Sequence, residues 1–369
     1  MTITPTTSAE RAAEPAEQSA PAPAAPKPAP AVEPLNSESL TWKYFGDIRT
    51  GVMGMWIGTI ENMYPGLGAG VEDHSSLWRE PLQRVTRSVY PIMGVVYDGM
   101  RAQSTGAAIR DYHRDIKGTD AQGRRYHALD PETFYWAHAT FFMLIIKLAE
   151  YFCGGLTEAE KHQLFDEHVQ WYRMYGMSMR PVPKSWDEFC EYWDRVCEEE
   201  LEMTPAAQGI LDMRIPKPWF VMMPTGVWDQ LFKPALAAQR WVAAGLFEPV
   251  VREKAGLRWS EGDEVLFRLL GKAAHLAFSV VPEEIRLHPR ALAGYKREQG
   301  KIAADAPLIE APWFSGPPKE RRASGMHYVP RVSRGMKLVE RAGAFVHSTF
   351  SLAAGGGLTA PRPPRRKAA

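Results

Sequence analysis

The sequence predicts an all-α fold, a single multi-helix globular domain, on three observations. Helix-start signals recur between residues 40 and 300, strand-like alternation is scarce there, and no Asn-Gly hairpin turn separates β-branched runs. A chain of 369 residues with 45% hydrophobic content can bury a sizeable core. Ordinary helix and loop lengths then give eight to twelve helices, as an estimate of roughly that size.

The elements follow in order. Residues 1–36 are rich in Ala, Pro and Glu, with PAPAAPKPAPA at 21–31, too little apolar surface to offset ordering entropy. Residues 1–40 are therefore expected to be a disordered leader, and they lack the basic start and apolar stretch of a secretory signal. Gly66-Leu67-Gly68-Ala69-Gly70 follows no strand and lacks dinucleotide spacing, so it reads as a flexible turn before Glu72-Asp73-His74-Ser75. A helix is expected over 104–117. Asp130-Pro131-Glu132 supplies a cap, a first-turn proline and an acid, opening a helix over 131–152. Thr157 to Glu160 and Ser185 to Glu188 fit the capping box, and Thr204-Pro205 repeats cap then proline. Ser260, with Glu261 and Asp263, opens another long helix ending near Val281-Pro282.

Charge and cysteine content narrow the class. A net charge of +1 gives no reason to expect nucleic-acid binding. Cys153, Cys190 and Cys197 make no disulfide framework and no CxxC pair, which suits a reduced, cytoplasmic protein. The most apolar run, 133–146, meets Lys147 and is too short for a spanning helix, so it belongs in a globular core. Residues 216–250 are rich in Trp, Phe and Met and would form core or the far wall of an apolar tunnel. From residue 311 onward eleven Lys/Arg stand against two Asp/Glu, a basic extension over 301–369 suited to peripheral contact with an anionic membrane surface.

Two histidines fall at positions that should face the interior. On the 104–117 helix, His113 lies between Ile109 and Ile116 on one stripe with Tyr112, and Arg110 is three residues before it. On the 131–152 helix, His138 has Phe134 and Phe142 one turn either way. A buried imidazole hydrogen-bonds a neighbour or ligates a metal, and these residues leave both readings open. The remaining histidines, His162 and His168 among them, are expected on a solvated helix face. Glu-x-x-His, HExxH, GxSxG and a Walker loop are absent, which removes di-iron, zinc-hydrolase, serine-hydrolase and nucleotide chemistries.

The motifs GAGVEDHSS (68–76), REPLQRVTRSV (79–89), IRDYHRDIKGTDAQGRRYHALDPETFYWAHAT (109–140), LTEAEKHQLFDEHVQWYRMYG (156–176) and LEMTPAAQGIL (201–211) occur in this order. The series resembles the MpaB/rubber-oxygenase catalytic domain, which includes the latex-clearing proteins, over about residues 42–300 and more loosely after Leu211. The resemblance implies a globin-like helical core around a haem pocket, b-type haem, dioxygen as co-substrate and oxidation or C=C cleavage of an apolar, isoprenoid or lipid-like molecule. It implies that His138 is the proximal iron ligand and that Arg110 lines the pocket and serves catalysis. Phe134 and Phe142, one turn either side of His138, would be walls for a planar cofactor. His74 belongs to the same pattern and is a further candidate at the cofactor. Where rubber-cleaving members carry a lysine about one turn after the arginine, this chain offers His113, a candidate distal ligand and catalytic group. Their acidic base has no matching position here.

The alternative to pocket-lining for Arg110 is a salt bridge to Asp73 or Asp98. Two other functional classes stand beside the oxygenase: a haem-binding sensor or carrier without turnover, and a cofactor-free helical scaffold for a partner. An absorption spectrum separates the last, and oxygen-dependent product separates the first.

Overall fold

A computed structural model describes residues 32–78, 81–213 and 224–308. Among them, fourteen α-helices follow one another. They are α1 (Leu40–Phe45), α2 (Gly54–Asn62), α3 (Pro65–His74), α4 (Pro81–Tyr97) and α5 (Ala102–Tyr112), then α6 (Pro131–Phe152), α7 (Glu158–Arg173), α8 (Trp186–Arg195) and α9 (Pro205–Leu211). After these come α10 (Thr225–Leu246), α11 (Pro249–Lys254), α12 (Glu261–Ser279), α13 (Glu283–Arg286) and α14 (Pro289–Glu298). Short helices such as α1, α11 and α13 account for the excess over the eight to twelve expected. One antiparallel hairpin, β1 (Lys117–Thr119) with β2 (Arg125–His127), interrupts them between α5 and α6.

The long helices start where the sequence places caps. The Asp130 carboxylate accepts from the backbone N–H groups of Glu132 and Thr133 at 3.0 and 3.2 Å, with Pro131 in the first turn of α6. Thr157 with Glu160, and Ser260 with Asp263, form complete capping boxes. At Ser185 the box is half made: its hydroxyl accepts from the Glu188 N–H, but the Glu188 carboxylate accepts from the Lys184 N–H instead.

Helix α6 is the centre of the core, buried along most of its length with Tyr135, Trp136, Ala139 and Leu148 fully enclosed. Lys147 does not end it. Its ammonium pairs with Glu248 at 2.9 Å, and Glu248 also accepts from the Trp193 indole at 2.8 Å, so the charge is neutralised inside. The closing helix α14 is tied to α4 and α5 by a second buried pair. The Arg290 Nε donates to Asp98 at 2.9 Å, its Nη1 donates to the Tyr90 carbonyl at 2.7 Å, and the Thr105 hydroxyl donates to Asp98 at 2.8 Å.

Three expectations need correcting. The glycine-rich 66–70 stretch is not a turn but the body of α3. A Cβ on Gly68 would lie 2.6 Å from Thr204 Oγ1 and 2.7 Å from the Asn62 carbonyl, so the glycine lets α3 approach the start of α9. The 104–117 helix stops at Tyr112, because the chain turns at His113 into the hairpin. No Asn-Gly marks the hairpin, because its turn runs through Asp120, which accepts from the N–H groups of Gln122 and Arg124, and Gly123 at φ +82°.

The described chain begins at Val32, inside the stretch expected to be a leader, and Leu35 joins the core; residues 1–31 lie outside the described residues. So do 309–369, most of the basic extension, and 214–223, which include the first part of the Trp-, Phe- and Met-rich stretch 216–250. The described part of that stretch forms helix α10, which buries only its last turn, around Ala243 to Leu246. Helix α12 turns an apolar row outward: Leu266, Leu269, Leu270 and Leu276 are exposed. Among the described residues no helix is long and apolar enough to cross a membrane. All three cysteines are free thiols.

Candidate functional site

The histidine of α6 meets a second one that the sequence left on a solvated face. His168 is buried, one ring against His138: their centroids are 4.7 Å apart with the planes 16° from parallel. The spacing explains it. Leu164, His168 and Trp171 recur at i, i+4, i+7 along α7, and this stripe packs on α6, whereas His162 falls off it and is exposed.

Three contacts fix the ring nitrogens. His138 Nε2 lies 2.9 Å from His168 Nδ1 and 3.3 Å from the His168 carbonyl oxygen. His168 Nε2 lies 2.9 Å from the Tyr135 hydroxyl. A carbonyl only accepts, so His138 carries its proton on Nε2 and donates to the His168 carbonyl and Nδ1. His168 Nδ1 is then the acceptor, and its own proton sits on Nε2, toward Tyr135. That leaves His138 Nδ1 as a buried lone pair with no hydrogen-bond partner among the described residues. Burial pushes the His138 pKa down to about 3, against the opposing pull of the His168 carbonyl. Burial, with His138 nearby, drives His168 well below the ordinary range. Both imidazoles are neutral at physiological pH.

Aromatic rings enclose the pair. Trp171 stands edge-on to His138 at 4.7 Å, with Tyr172 at 5.1 Å and Tyr175 at 5.6 Å. From there the contacts run to the other candidates. Phe134 lies 5.3 Å from Tyr175 and 6.0 Å from the His113 ring, which meets it edge-on. Arg110 donates through Nη1 to the Tyr175 carbonyl at 3.3 Å. Its carboxylate partner is Asp111, at 3.0 Å, rather than Asp73 or Asp98; Asp98 is taken by Arg290, and Asp73 accepts from the Tyr126 hydroxyl. Backbone contact holds this corner together, since a Cβ on Gly106 would meet the Met174 carbonyl at 2.5 Å.

His113 caps α5 rather than continuing a buried stripe, and Tyr112 beside it is exposed. The ring is half-buried, and Nδ1 lies 2.7 Å from the Ile109 carbonyl, so Nδ1 carries the proton and Nε2 is bare. Burial lowers its pKa; the Ile109 carbonyl opposes this and Arg84 adds to it. The structure thus gathers His138, Phe134, Arg110 and His113 at the junction of α5, α6 and the end of α7. Phe142 packs on the far side of that pair, stacked on His168 at 4.3 Å. His74 is elsewhere: exposed at the end of α3, its Nε2 donates to the Lys117 carbonyl at 3.3 Å, which clamps α3 to the hairpin.

A cleft of about 910 Å³ opens between the hairpin, α3 and the turn after α8. Its walls include Lys117, Arg124, Glu200 and Glu202 and do not include His138.

The model of the family described as "ER-bound oxygenase mpaB/B'/Rubber oxygenase, catalytic domain" matches residues 42–276, well over half of the chain. The chain belongs to this family. An uncharacterized protein of Mycobacterium bovis and one of Mycobacterium tuberculosis are each 22% identical to it over 231 residues, 59% of this chain and 84% of the relative. No solved structure matches. The family is an oxygenase catalytic domain, which supports an oxidoreductase. The matched span contains every residue gathered at the α5–α6–α7 junction.

Two residues of the MpaB/rubber-oxygenase chain escaped the sequence. His168 carried a signal, its place on the α7 stripe. Glu61 on α2 did not: half-buried near Arg84, it has a pKa raised to about 7 by burial, partly offset by that arginine. Arg84 also acts on His113, which puts Glu61 and His113 in reach of one charge. Among the described residues no cluster of three or more His, Cys, Asp or Glu could cage a metal ion.

Proposed function

We propose that this protein is a haem b-dependent oxygenase of apolar, isoprenoid or lipid-like substrates, with dioxygen as co-substrate and oxidation or C=C cleavage as the reaction. The observation that carries it is the bare, buried Nδ1 of His138 inside an aromatic shell. A neutral imidazole lone pair with no partner is what a histidine ligand to iron requires, and it sits in the stretch whose resemblance assigns that role. The donor set therefore fits a haem held by one histidine, and the globin-like helical pocket around it is what the resemblance implies.

When bound, haem supplies the redox chemistry for dioxygen activation. The chain's own residues do the rest. His138 would hold the group, and Phe134, Trp171, Tyr172 and Tyr175 would exclude water around it. Arg110 spends three of its N–H donors on Asp111 and the Tyr175 carbonyl, which leaves two for a propionate or a polarised oxygen. His113 offers Nε2 as a neutral acceptor that could take and return a proton or act as a second imidazole donor to the group. Peripheral contact with an anionic membrane surface, through the basic residues beyond 311, would bring a cytoplasmic enzyme to a lipid-like substrate.

The test is an absorption spectrum of the purified protein followed by turnover under labelled dioxygen. A Soret band is expected in the wild type and its loss in His138→Ala. Arg110→Ala should keep the band and lose roughly 10²-fold or more in label incorporation, as removal of one charge-stabilising donor does elsewhere. A full Soret band with unchanged ligation in His138→Ala would remove His138 from the iron. Product formed equally well without oxygen would end the oxygenase reading.

A further inference from the structure

We infer that His168 is the positioning residue of the His138 imidazole, and that Tyr135 in turn positions His168. The inference rests on the haem reading for its consequence, but not for its geometry. His138 Nε2 has two acceptors, both belonging to residue 168: the side-chain Nδ1 at 2.9 Å and the backbone carbonyl at 3.3 Å. The carbonyl cannot donate, so the proton stays on His138 Nε2, and Nδ1 is the nitrogen left to bind. For the side chain of His168 to accept at Nδ1, its own proton must sit on Nε2. The Tyr135 hydroxyl, 2.9 Å from that atom, accepts it there.

The arrangement is held at an edge and a face. His168 meets His138 edge to edge through the 2.9 Å contact, with the planes 16° apart, and Phe142 stacks on its ring at 4.3 Å and 12°, so the ring has little freedom to turn. Tyr135 stands one turn before His138 on the same helix, so α6 supplies both the ligand and the group that orders the ligand's partner. A hydrogen bond from the far N–H of a ligating histidine fixes its tautomer and raises the donor strength of the other nitrogen. In most such sites the acceptor is a carboxylate, a carbonyl or water. Here the acceptors are a neutral imidazole and a backbone carbonyl, and Phe142, a candidate cofactor wall by position, instead braces His168.

Two measurements on the full chain test this. The first needs no cofactor: long-range ¹H–¹⁵N correlation of histidine-labelled protein, prepared without haem, reads each ring's tautomer. Both His138 and His168 should be in the Nε2–H form, and Tyr135→Phe should release His168 into a mixture. An Nδ1–H tautomer at either histidine in the wild type overturns the inference. The second uses the haem-loaded protein and the ferrous iron–histidine stretch seen by resonance Raman. His168→Phe keeps a ring in the stack but removes the nearer acceptor, so the stretch should fall in frequency and the reduction potential should rise. His168→Gln, whose amide oxygen can accept, should recover part of both shifts. If His168→Phe fails to fold, His168→Gln and Tyr135→Phe carry the comparison. Stretch and potential unchanged in all the variants would reduce His168 to packing. If the wild type takes up no haem, the haem reading fails, and the tautomers alone decide the inference.

Discussion

In an unfolded chain His138 and His168 would take up a proton near pH 6.5, whereas in the fold burial holds His138 down to about 3 and His168 well below its ordinary value. His288, pushed by burial and Arg290 to about 4, behaves the same way. Between those values and about pH 6.5 the unfolded chain binds more protons than the folded one, so stability falls as pH falls through that window. Each such histidine contributes up to ~1.4 kcal/mol per pH unit. Urea midpoints measured from pH 7 to 5 should therefore decline in the wild type. The decline should be shallower in the His138→Phe/His168→Phe double variant, with His288 left to supply a residual slope. Equal slopes would mean that neither histidine is held neutral by the fold. At this scale the sequence disclosed one member of the pair. His138 stands in a run apolar on nearly every side, where any polar residue draws notice, whereas His168 shares α7 with Glu158, Glu160, Lys161 and Asp166. Only its register with Leu164 and Trp171 separates it from the solvated His162.

Helices were legible at their N-termini and illegible where their ends depend on neighbours. Asp130, Thr157, Thr204 and Ser260 cap the helices they announce because capping is a local matter of one side chain and the next three amides. The end of α5 depends instead on the hairpin that the chain must enter after His113, and α3 looked like a loop because three glycines carry a poor helix propensity. What propensity could not reveal is that a Cβ on Gly68 would come within 3 Å of Thr204 Oγ1 and the Asn62 carbonyl. Substitution separates the two effects. By propensity alone Gly68→Ala would gain about 1 kcal/mol, but the added methyl must displace backbone, so a net loss of ~1–3 kcal/mol is expected. Gly54, at the start of α2 with nothing within 4 Å of its would-be Cβ, is the control, and Gly54→Ala should be neutral or stabilising. Thermal melts of the two variants, run side by side, read the difference. Similar gains in both would mean that α3 and α9 do not pack as closely as described.

At the scale of the molecule, charge is divided unevenly. Residues from 311 onward carry eleven Lys/Arg against two Asp/Glu, while the whole chain is only +1, so the part before them is net negative. An enzyme body of that sign is repelled by an anionic bilayer, and among the described residues it has no helix able to span one. Any electrostatic attraction must therefore come from the extension, at about 1 kcal/mol for each basic residue that reaches the surface. The described body offers a competing route, the outward apolar row of Leu266, Leu269, Leu270 and Leu276 on α12, whose insertion would depend on buried area and not on lipid charge. Vesicle co-sedimentation distinguishes them. The full chain should bind vesicles containing anionic phospholipid, bind neutral ones weakly, and come off as salt is raised. Replacing Arg362, Arg365, Arg366 and Lys367 by glutamine should weaken binding at least about tenfold, since ~1.4 kcal/mol is tenfold and four charges are removed. The Leu269→Gln/Leu276→Gln variant should bind as the wild type does. Salt-insensitive binding to neutral vesicles, lost in that leucine variant and kept in the glutamine one, would move the contact from the basic extension to α12.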